Sequence, residues 1–289
     1  MQEQKLLPVA RIFRGVGQIM LQANAWTGVL FLVGIFYDSY VMGIGALLAV
    51  CIGTLTAKLL HYPEEEINQG LYGFSATLVG VALTFYFEPV PVIWVALIVG
   101  SALAAIIQHA MIRRKLPGFT FPFIIITWIL LYVFKHLYVV GPSPEVSSVA
   151  QAYDDFTVST HGFGEVIFQG SVLAGIIFFL GVFVGSPIAA LYGAAASVLG
   201  AYISTQFREP AQEIHMGLFS FNAVLCAIAF AGPKRSDGIW VLISVFLAVF
   251  IDFGMLEFNL AVLTFPFVLA SWITLGLKAG VTKISKKNE

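Results

Sequence analysis

Long apolar runs separated by short polar stretches are the main pattern of the chain. A window of about 19 residues distinguishes ten apolar segments, which lie at 24–37, 39–59, 71–87, 91–112, 119–138, 171–185, 186–205, 215–232, 238–256 and 261–279. The apolar residues are continuous and do not alternate with polar ones, which favours helices over the strands of a membrane barrel. Several segments are shorter than the ~20 residues that cross a bilayer as a helix. The pattern predicts an all-α polytopic membrane protein with ten transmembrane helices.

Composition supports a membrane protein. Of the 289 residues, 59% are hydrophobic and 11% are charged, with a mean hydropathy of +0.91. A soluble domain carries about 25% charged residues, so this chain has too few to cover a surface that faces water. The net charge of −1 argues against a nucleic-acid partner, and residues 1–14 show no pattern of a cleavable signal peptide.

The basic residues predict the orientation of the chain in the membrane. If the N-terminus is cytoplasmic, Lys135 and Arg208 fall outside and thirteen other basic residues fall inside. Those thirteen are Lys5, Arg11, Arg14, Lys58, Arg113, Arg114, Lys115, Lys234, Arg235, Lys278, Lys283, Lys286 and Lys287. This asymmetry follows the positive-inside rule. We therefore expect a multi-pass protein of the inner (plasma) membrane with both termini in the cytoplasm and an external loop at 139–162.

The chain contains an internal duplication. "GVGQIMLQANAWTG" from Gly15 aligns with "GFGEVIFQGSVLAG" from Gly162 at an offset of 147, and "EINQGLYGFSATL" from Glu66 aligns with "EIHMGLFSFNAVL" from Glu213 at the same offset. The sequence predicts two membrane repeats, 1–145 and 146–289. Five spans are an odd number, so the second repeat enters the membrane from the opposite side. In such inverted repeats the substrate path lies between the halves near the midplane.

One duplicated motif carries candidate chemistry. Thr-Phe-Pro-Phe occurs at 120–123 and again at 264–267. Because proline is tolerated at a helix start but breaks a helix interior, each motif predicts a helix that begins in or near the membrane with Thr120 or Thr264 at its N-cap. A capping hydroxyl accepts from backbone N–H groups and still offers a lone pair to a solute. A proline-kinked helix whose threonine bonds its own backbone is the alternative, and the symmetric placement favours the functional interpretation.

Gln18 and Glu165 occupy equivalent positions in the first duplicated segment. A charge at membrane depth costs from ~2.5 to over 10 kcal/mol, so Glu165 must be paired, protonated or on a wet path, unless it lies at the headgroups. A position near a helix N-terminus would favour its ionised form. The register with Gln18 favours a pair of hydrogen-bonding oxygens.

Three apolar pairs recur at the same offset: Phe74 with Phe221, Leu78 with Leu225, and Leu21 with Phe168. Residues four apart share a helix face, so Phe74 and Leu78 lie together, as do their counterparts. Core packing or lipid contact is the default role for such side chains.

The duplicated motif Leu-Pro-x-x-Thr-x-Pro-Phe from Leu116, degenerate from Leu260, resembles the signature of the urea transporter family. "GVGQ" from Gly15, "NQGLYGF" from Asn68 and "HMGLFSF" from His215 resemble it too, over nearly the whole chain. At this length the chain is similar to a bacterial member. The resemblance implies a homotrimer, a pore in each subunit, and a re-entrant half-helix in each repeat at about 7–20 and 156–169.

The resemblance also implies a function: channel-like, passive transport of urea, without cofactor, metal or catalysis. Oxygens of Gln18, Glu165, Thr120 and Thr264 would replace the hydration of urea, and the apolar pairs together with Val166 would line a flat slot. The second motif begins Leu-Ala where the first has Leu-Pro, and Leu21 stands where an aromatic opposite Phe168 is expected.

Other function classes fit less well. An ion-coupled secondary transporter needs a titratable cluster at the midplane, for which Glu165 is the strong candidate. An ammonium or small-amide channel is the other alternative. An ammonium-type channel would have two facing histidines in its pore, but neither His109 nor His215 has a histidine at its repeat-related position. The spans show no acid dyad, metal-binding set or Ser-His pair of an intramembrane enzyme.

Overall fold

A computed structural model describes residues 8–144, 158–207, 217–258 and 260–287. These residues are helical apart from turns and one isolated antiparallel bridge between Phe87 and Pro142. The helices of the first half are α1 (Pro8–Gly17, continued by a 3-10 turn at Gln18–Met20), α2 (Ala25–Asp38), α3 (Tyr40–Leu59), α4 (Glu64–Asn68), α5 (Phe74–Tyr86), α6 (Pro91–Arg113) and α7 (Phe121–Tyr132, continued by a π-helix at Val133–Leu137). Those of the second half are α8 (Val158–Glu165), α9 (Val172–Gly185), α10 (Pro187–Gln206), α11 (Phe221–Phe230), α12 (Arg235–Glu257) and α13 (Phe265–Lys287).

Each of the ten predicted apolar segments contains one helix, so the all-helical prediction is confirmed. Among the described residues, five helices are long and apolar enough to cross a membrane by themselves: α3, α6, α10, α12 and α13. Helix α2 reaches that length only together with α1, to which it is joined by a 75° bend. The remaining four of the ten predicted segments contain shorter apolar helices, α5, α7, α9 and α11. Length alone therefore supports a multi-pass membrane protein but not every one of ten complete spans.

Helix boundaries recur along the chain. The starts of α2, α3 and α5 are repeated 147 residues later by α9, α10 and α11, and the start of α7 is repeated 144 residues later by α13. The cause is visible in the caps. Ser39 accepts from the Met42 N–H at 3.2 Å, and Ser186, at the equivalent position, accepts from the Ala189 N–H at 3.4 Å. These serine caps begin a new helix after a single extended residue.

The two halves pack through α2 and α9. The rings of Phe31 and Phe178 meet edge to face with centroids 5.3 Å apart. Each ring lies against a glycine of the opposite helix: a Cβ at Gly34 would be 2.4 Å from the Phe178 ring, and one at Gly181 would be 2.7 Å from the Phe31 ring. Phe31 and Phe178 are fully buried. The same aromatic-glycine packing is thus used twice, once from each side of the interface.

Candidate functional site

The two Thr-Phe-Pro-Phe motifs meet inside the protein. Thr120 immediately precedes α7 and Thr264 immediately precedes α13, and their Oγ1 atoms are 2.7 Å apart. The two side chains are 2% and 3% exposed. The prediction of a helix start at each motif is confirmed, with proline in the first turn of α7. The structure therefore brings together two candidates that are 144 residues apart in the sequence.

The predicted capping bond, in which the hydroxyl accepts from a backbone N–H of the helix, is wrong for Thr120. Thr120 does occupy the N-cap position, but its backbone has φ −91° and ψ 10° and its side chain accepts no helix N–H. The N-cap geometry that aims an oxygen at the first turn needs an extended backbone, and Thr120 lacks it. Its hydroxyl bonds to Thr264 instead. Because a hydroxyl has one hydrogen and two lone pairs, this pair keeps acceptor capacity within an apolar interior.

Two tryptophans tie the motifs to each other across the halves. Trp128 Nε1 donates to the carbonyl of Ala261 at 2.7 Å, and Trp272 Nε1 donates to the carbonyl of Pro117 at 2.8 Å. The accepting carbonyls lie three residues before Thr264 and Thr120, respectively. Each indole also packs against the first aromatic of the opposite helix, Phe265 or Phe121, with centroids 5.3 and 5.1 Å apart. The loops that carry the threonines are therefore held from the other half.

Gln18 and Glu165 lie at the ends of the first helices of the two halves. Gln18 opens the 3-10 turn that follows α1, and its Nε2 donates to the carbonyl of Gln69 at 3.0 Å. Glu165 is the last residue of α8, and both side chains are half-buried. A placement of Glu165 near a helix N-terminus is wrong for α8. The carboxyl lies at the C-terminal end of this helix, where the helix dipole disfavours a negative charge.

Helix α8 ends at Glu165, before the end at 169 that was predicted for a half-helix in the second repeat. The carbonyl of Gly164 accepts from the backbone N–H of Gln169 at 3.1 Å, and Phe168 has φ +59°. This left-handed residue ends the helix. In the first half, Leu21 has φ +60° and the Gln22 N–H bonds to the Gly17 carbonyl at 3.1 Å. Leu21 and Phe168 therefore occupy equivalent turns, as their alignment predicts.

Gln22 and Gln169 support these turns and were not identified from the sequence. The Nε2 of Gln22 donates to the carbonyl of Met20 at 3.0 Å, and the Nε2 of Gln169 donates to that of Ile167 at 2.9 Å. Both side chains are buried. Their recurrence at the offset of 147, within segments already aligned, was the available signal.

The apolar candidates lie in one hydrophobic cluster. Phe74 is the first residue of α5 and Phe221 the first residue of α11. Every residue of α5 from Phe74 to Thr84 is buried, so burial does not single out the face shared by Phe74 and Leu78. Leu78, Leu225 and Val166 are at most 1% exposed, whereas Leu21, Phe168 and Phe221 are half-buried. The ring of Phe168 packs against Phe85 and Tyr86, at centroid distances of 5.2 and 5.8 Å.

A second acid within the apolar helices was missed. Asp252 lies in α12, is 1% exposed, and accepts from Asn222 Nδ2 at 3.4 Å. Glu165 stands out in the sequence because its segment is duplicated and otherwise uncharged. A carboxyl inside the predicted segment 238–256 was a sufficient signal by itself, since an ionisable residue at membrane depth is rarely there without a role.

Comparison with known proteins gives consistent matches. The family profile described as urea transporter matches residues 9–279. Urea transporter 1 of sheep (Ovis aries) is 28% identical over 246 residues, which cover 79% of this chain and 64% of the relative. Urea transporter 1 of mouse (Mus musculus) is 27% identical over 238 residues, which cover 76% and 62%. The chain spans less than two thirds of the length of these relatives.

Proposed function

The chain belongs to the urea transporter family, and from that premise we propose that it conducts urea passively through a path between its two halves. The contact between Thr120 and Thr264 carries this proposal. It is a buried polar point, built from one residue of each half, and the chain neighbours of both threonines belong to the hydrophobic cluster or pack against it. Membership in a transporter family also agrees with the expectation that the chain is not an enzyme.

The architecture that we propose is a pair of inverted five-helix repeats, 1–145 and 146–289, each with a re-entrant half-helix. Helices α7 and α13 begin at the same place, where Thr120 meets Thr264, and the Trp128 and Trp272 bonds are exchanged reciprocally. Such reciprocal contacts are those of a two-fold axis between the halves. The 75° bend between α1 and α2 supports a re-entrant first helix. This architecture places the path at the interface of the repeats.

Urea is planar and carries four N–H donors and one carbonyl acceptor. Removing its water leaves these donors unpaired, at ~1–3 kcal/mol for each buried group. The lone pairs of Thr120 and Thr264, the side-chain oxygens of Gln18 and Glu165, and backbone carbonyls replace that water stepwise. The apolar walls, which include Phe74 and Phe221, cover the flat faces. Sites that bind weakly let the solute leave as readily as it enters, as conduction requires.

Two buried or half-buried acids, Glu165 and Asp252, keep ion coupling as a second candidate. Asp252 is engaged by the Asn222 amide, which accounts for one of its oxygens. Transport by an ion-coupled mechanism responds to an imposed proton or sodium gradient, whereas urea flux through a passive pore does not.

Stopped-flow light scattering of proteoliposomes tests the proposal. Urea flux well above that of empty liposomes, and unchanged by a proton or sodium gradient, is expected. Glycerol, which is not planar, should pass much more slowly than urea. Flux driven uphill by either gradient would replace the passive pore with a coupled transporter, and glycerol as fast as urea would rule out the flat slot.

We further propose a homotrimer in the inner membrane with both termini cytoplasmic. The basic residues support the orientation, and the family resemblance supports the trimer. Mass measurement of the detergent-solubilised protein, corrected for bound detergent, should give three times 31.4 kDa. A mass of one or two subunits would contradict the trimer.

A further inference from the structure

The side chain of Asn222 is bonded to both ends of the segment that contains Thr264. Its Nδ2 donates to the carbonyl of Leu263 at 3.2 Å, and its Oδ1 accepts from the backbone N–H of Phe267 at 3.2 Å. Leu263 has φ +47°, a conformation that a non-glycine residue keeps only where its surroundings hold it. The backbone N–H of Phe267 lies in the first turn of α13 and therefore has no acceptor within its own helix. One buried amide therefore provides hydrogen-bond partners for the carbonyl of the strained Leu263 and for the backbone N–H of Phe267 at the helix start.

Asp252 fixes the orientation of this amide. Its Oδ2 accepts from Asn222 Nδ2 at 3.4 Å, and both side chains are 1% exposed. The Leu263 carbonyl can only accept, and the Asp252 oxygen accepts on the same side, so the nitrogen of Asn222 must face Asp252 and Leu263. The oxygen of Asn222 is then left to face Phe267.

The described part of the first half, residues 8–144, has no such arrangement. Asn222 aligns with Ser75 at the offset of 147 that relates α5 to α11. Asp252 aligns with Gln108 at the offset of 144 that relates the start of α6 to that of α12. Both are buried, and within the described part of the chain Ser75 Oγ and Gln108 Oε1 have no hydrogen-bond partner. The first loop has Pro117 and Gly118 where the second has alanine and valine. A Cβ at Gly118 would lie 3.0 Å from Gln108 Oε1. A residue larger than glycine therefore does not fit easily at this position of the first loop. Proline fixes its own φ and restricts the first loop covalently.

We propose that Asn222, oriented by Asp252, is a positioning residue of the pore: it holds Leu263 and Phe267 so that the hydroxyl of Thr264 faces Thr120. In the second half the Asn222 amide restricts the loop before Thr264, as Pro117 and Gly118 restrict the loop before Thr120 in the first half. The inference rests on the proposed function, because it assigns Asn222 an effect on solute passage that acts through Thr264.

A double-mutant cycle tests the inference by urea flux in proteoliposomes. Asn222→Ser introduces the residue of the first half and should lower flux about 10-fold, because the loop loses both hydrogen bonds. With Thr264→Val already present, the same change should lower flux by less than about two-fold, since residues that act through one group are not additive. A merely structural role would give the same factor in both backgrounds, which would overturn the inference. So would wild-type flux in Asn222→Ser.

A rescue variant provides the second readout. Adding Ala261→Pro and Val262→Gly to Asn222→Ser copies the covalent restraint of the first loop, and most of the lost flux should return. No return of flux in a folded triple variant would overturn the inference. If Asn222→Ser does not fold, Asn222→Asp serves in its place, because it keeps an acceptor for Phe267 and removes the donor to Leu263. Ser75→Ala is the matched control and should conduct like the wild type. Wild-type liposomes no faster than empty ones would refute the proposed function itself, whatever the variants do.

Discussion

The hydroxyl of Thr120 lies 2.7 Å from the hydroxyl of Thr264, although 144 residues separate them in the chain. Each threonine stands directly before a helix, so two helix N-termini meet at this point. The partial positive charge of a helix N-terminus therefore acts on this hydroxyl pair from both sides. On the path proposed above, a polar solute would separate or replace this hydrogen bond.

Removing either hydroxyl should reduce urea flux. Thr120→Val and Thr264→Val keep the side-chain shape but leave the remaining hydroxyl unpaired, at ~1–3 kcal/mol, and remove an acceptor for urea. We expect about 10-fold lower flux for each variant and a double variant that is less impaired than the product of the two, because the residues form one pair. Proteoliposome flux at equal protein density is the measurement.

Thr127→Val is the matched control for that comparison. Thr127 is buried in α7 near Thr120, and its Oγ1 has no hydrogen-bond partner among the described residues. The substitution makes the same chemical change on the same helix without breaking a bond. If Thr127→Val lowered flux as much as Thr120→Val, the effect would belong to helix packing and not to the hydroxyl pair.

The reciprocal tryptophan bonds should matter for flux as well as for stability. Trp128→Phe and Trp272→Phe keep an aromatic ring but release the carbonyls of Ala261 and Pro117, and each lost bond should cost ~0.5–1.5 kcal/mol. Thermal unfolding in detergent should shift down by about 2–4 °C per kcal/mol for a chain of this size. Trp94→Phe breaks a local bond to Pro89 within one half and should lower Tm without lowering flux. Equal flux in all three variants would contradict a role for the cross-half bonds in placing the threonines.

Local patterns predicted the helices and their approximate ends. The apolar runs, the proline near each motif and the serine after Asp38 act within a few residues, so the boundaries of α3 and α7 could be read directly. The duplication also predicted which residues are equivalent, and Leu21 and Phe168 indeed adopt the same left-handed turn.

Contacts between distant segments could not be predicted in the same way. Nothing near Thr120 in the sequence indicates that its hydroxyl bonds to Thr264 and not to the helix that it precedes, because this depends on the docking of the two halves. The Asn222 bonds to Leu263 and Phe267 likewise span 41 and 45 residues. The end of α8 at Glu165 results from Gly164 and Phe168 acting together, and apolar patterning does not report such turns.

Labelling from outside the cell should confirm the orientation. Pro144 follows α7 and is exposed, and Lys283 is exposed near the end of α13. The thirteen-to-two distribution of basic residues places the first outside and the second inside. In a variant without Cys51 and Cys226, an impermeant maleimide should label Pro144→Cys in intact cells and Lys283→Cys only after the membrane is opened. Labelling of both sites from the outside would refute an odd number of spans between them.

Glu165 should act as a hydrogen-bonding oxygen and not as a proton carrier. Gln18 holds the equivalent place in the first half and cannot shuttle protons, yet its amide is anchored to the Gln69 carbonyl with its oxygen left to accept. If two-fold related positions do the same work, an amide must suffice at both. Glu165→Gln should therefore keep a measurable part of the urea flux.

Glu165→Ala should lose more flux than Glu165→Gln, because it removes the acceptor altogether and the passing N–H groups stay unpaired, at ~1–3 kcal/mol. The carboxyl ends α8, where a negative charge would meet the negative end of the helix dipole, and an uncharged amide there avoids that repulsion while it keeps an oxygen. This is a further reason why the glutamine variant should fold and conduct. Flux of both variants at equal protein density, measured from pH 5 to pH 8, decides the matter, with Gln18→Ala as the matched change in the first half. A glutamine variant as inactive as the alanine variant, beside a wild type whose flux depends steeply on pH, would show that proton transfer at Glu165 is required and that the passive pore is wrong.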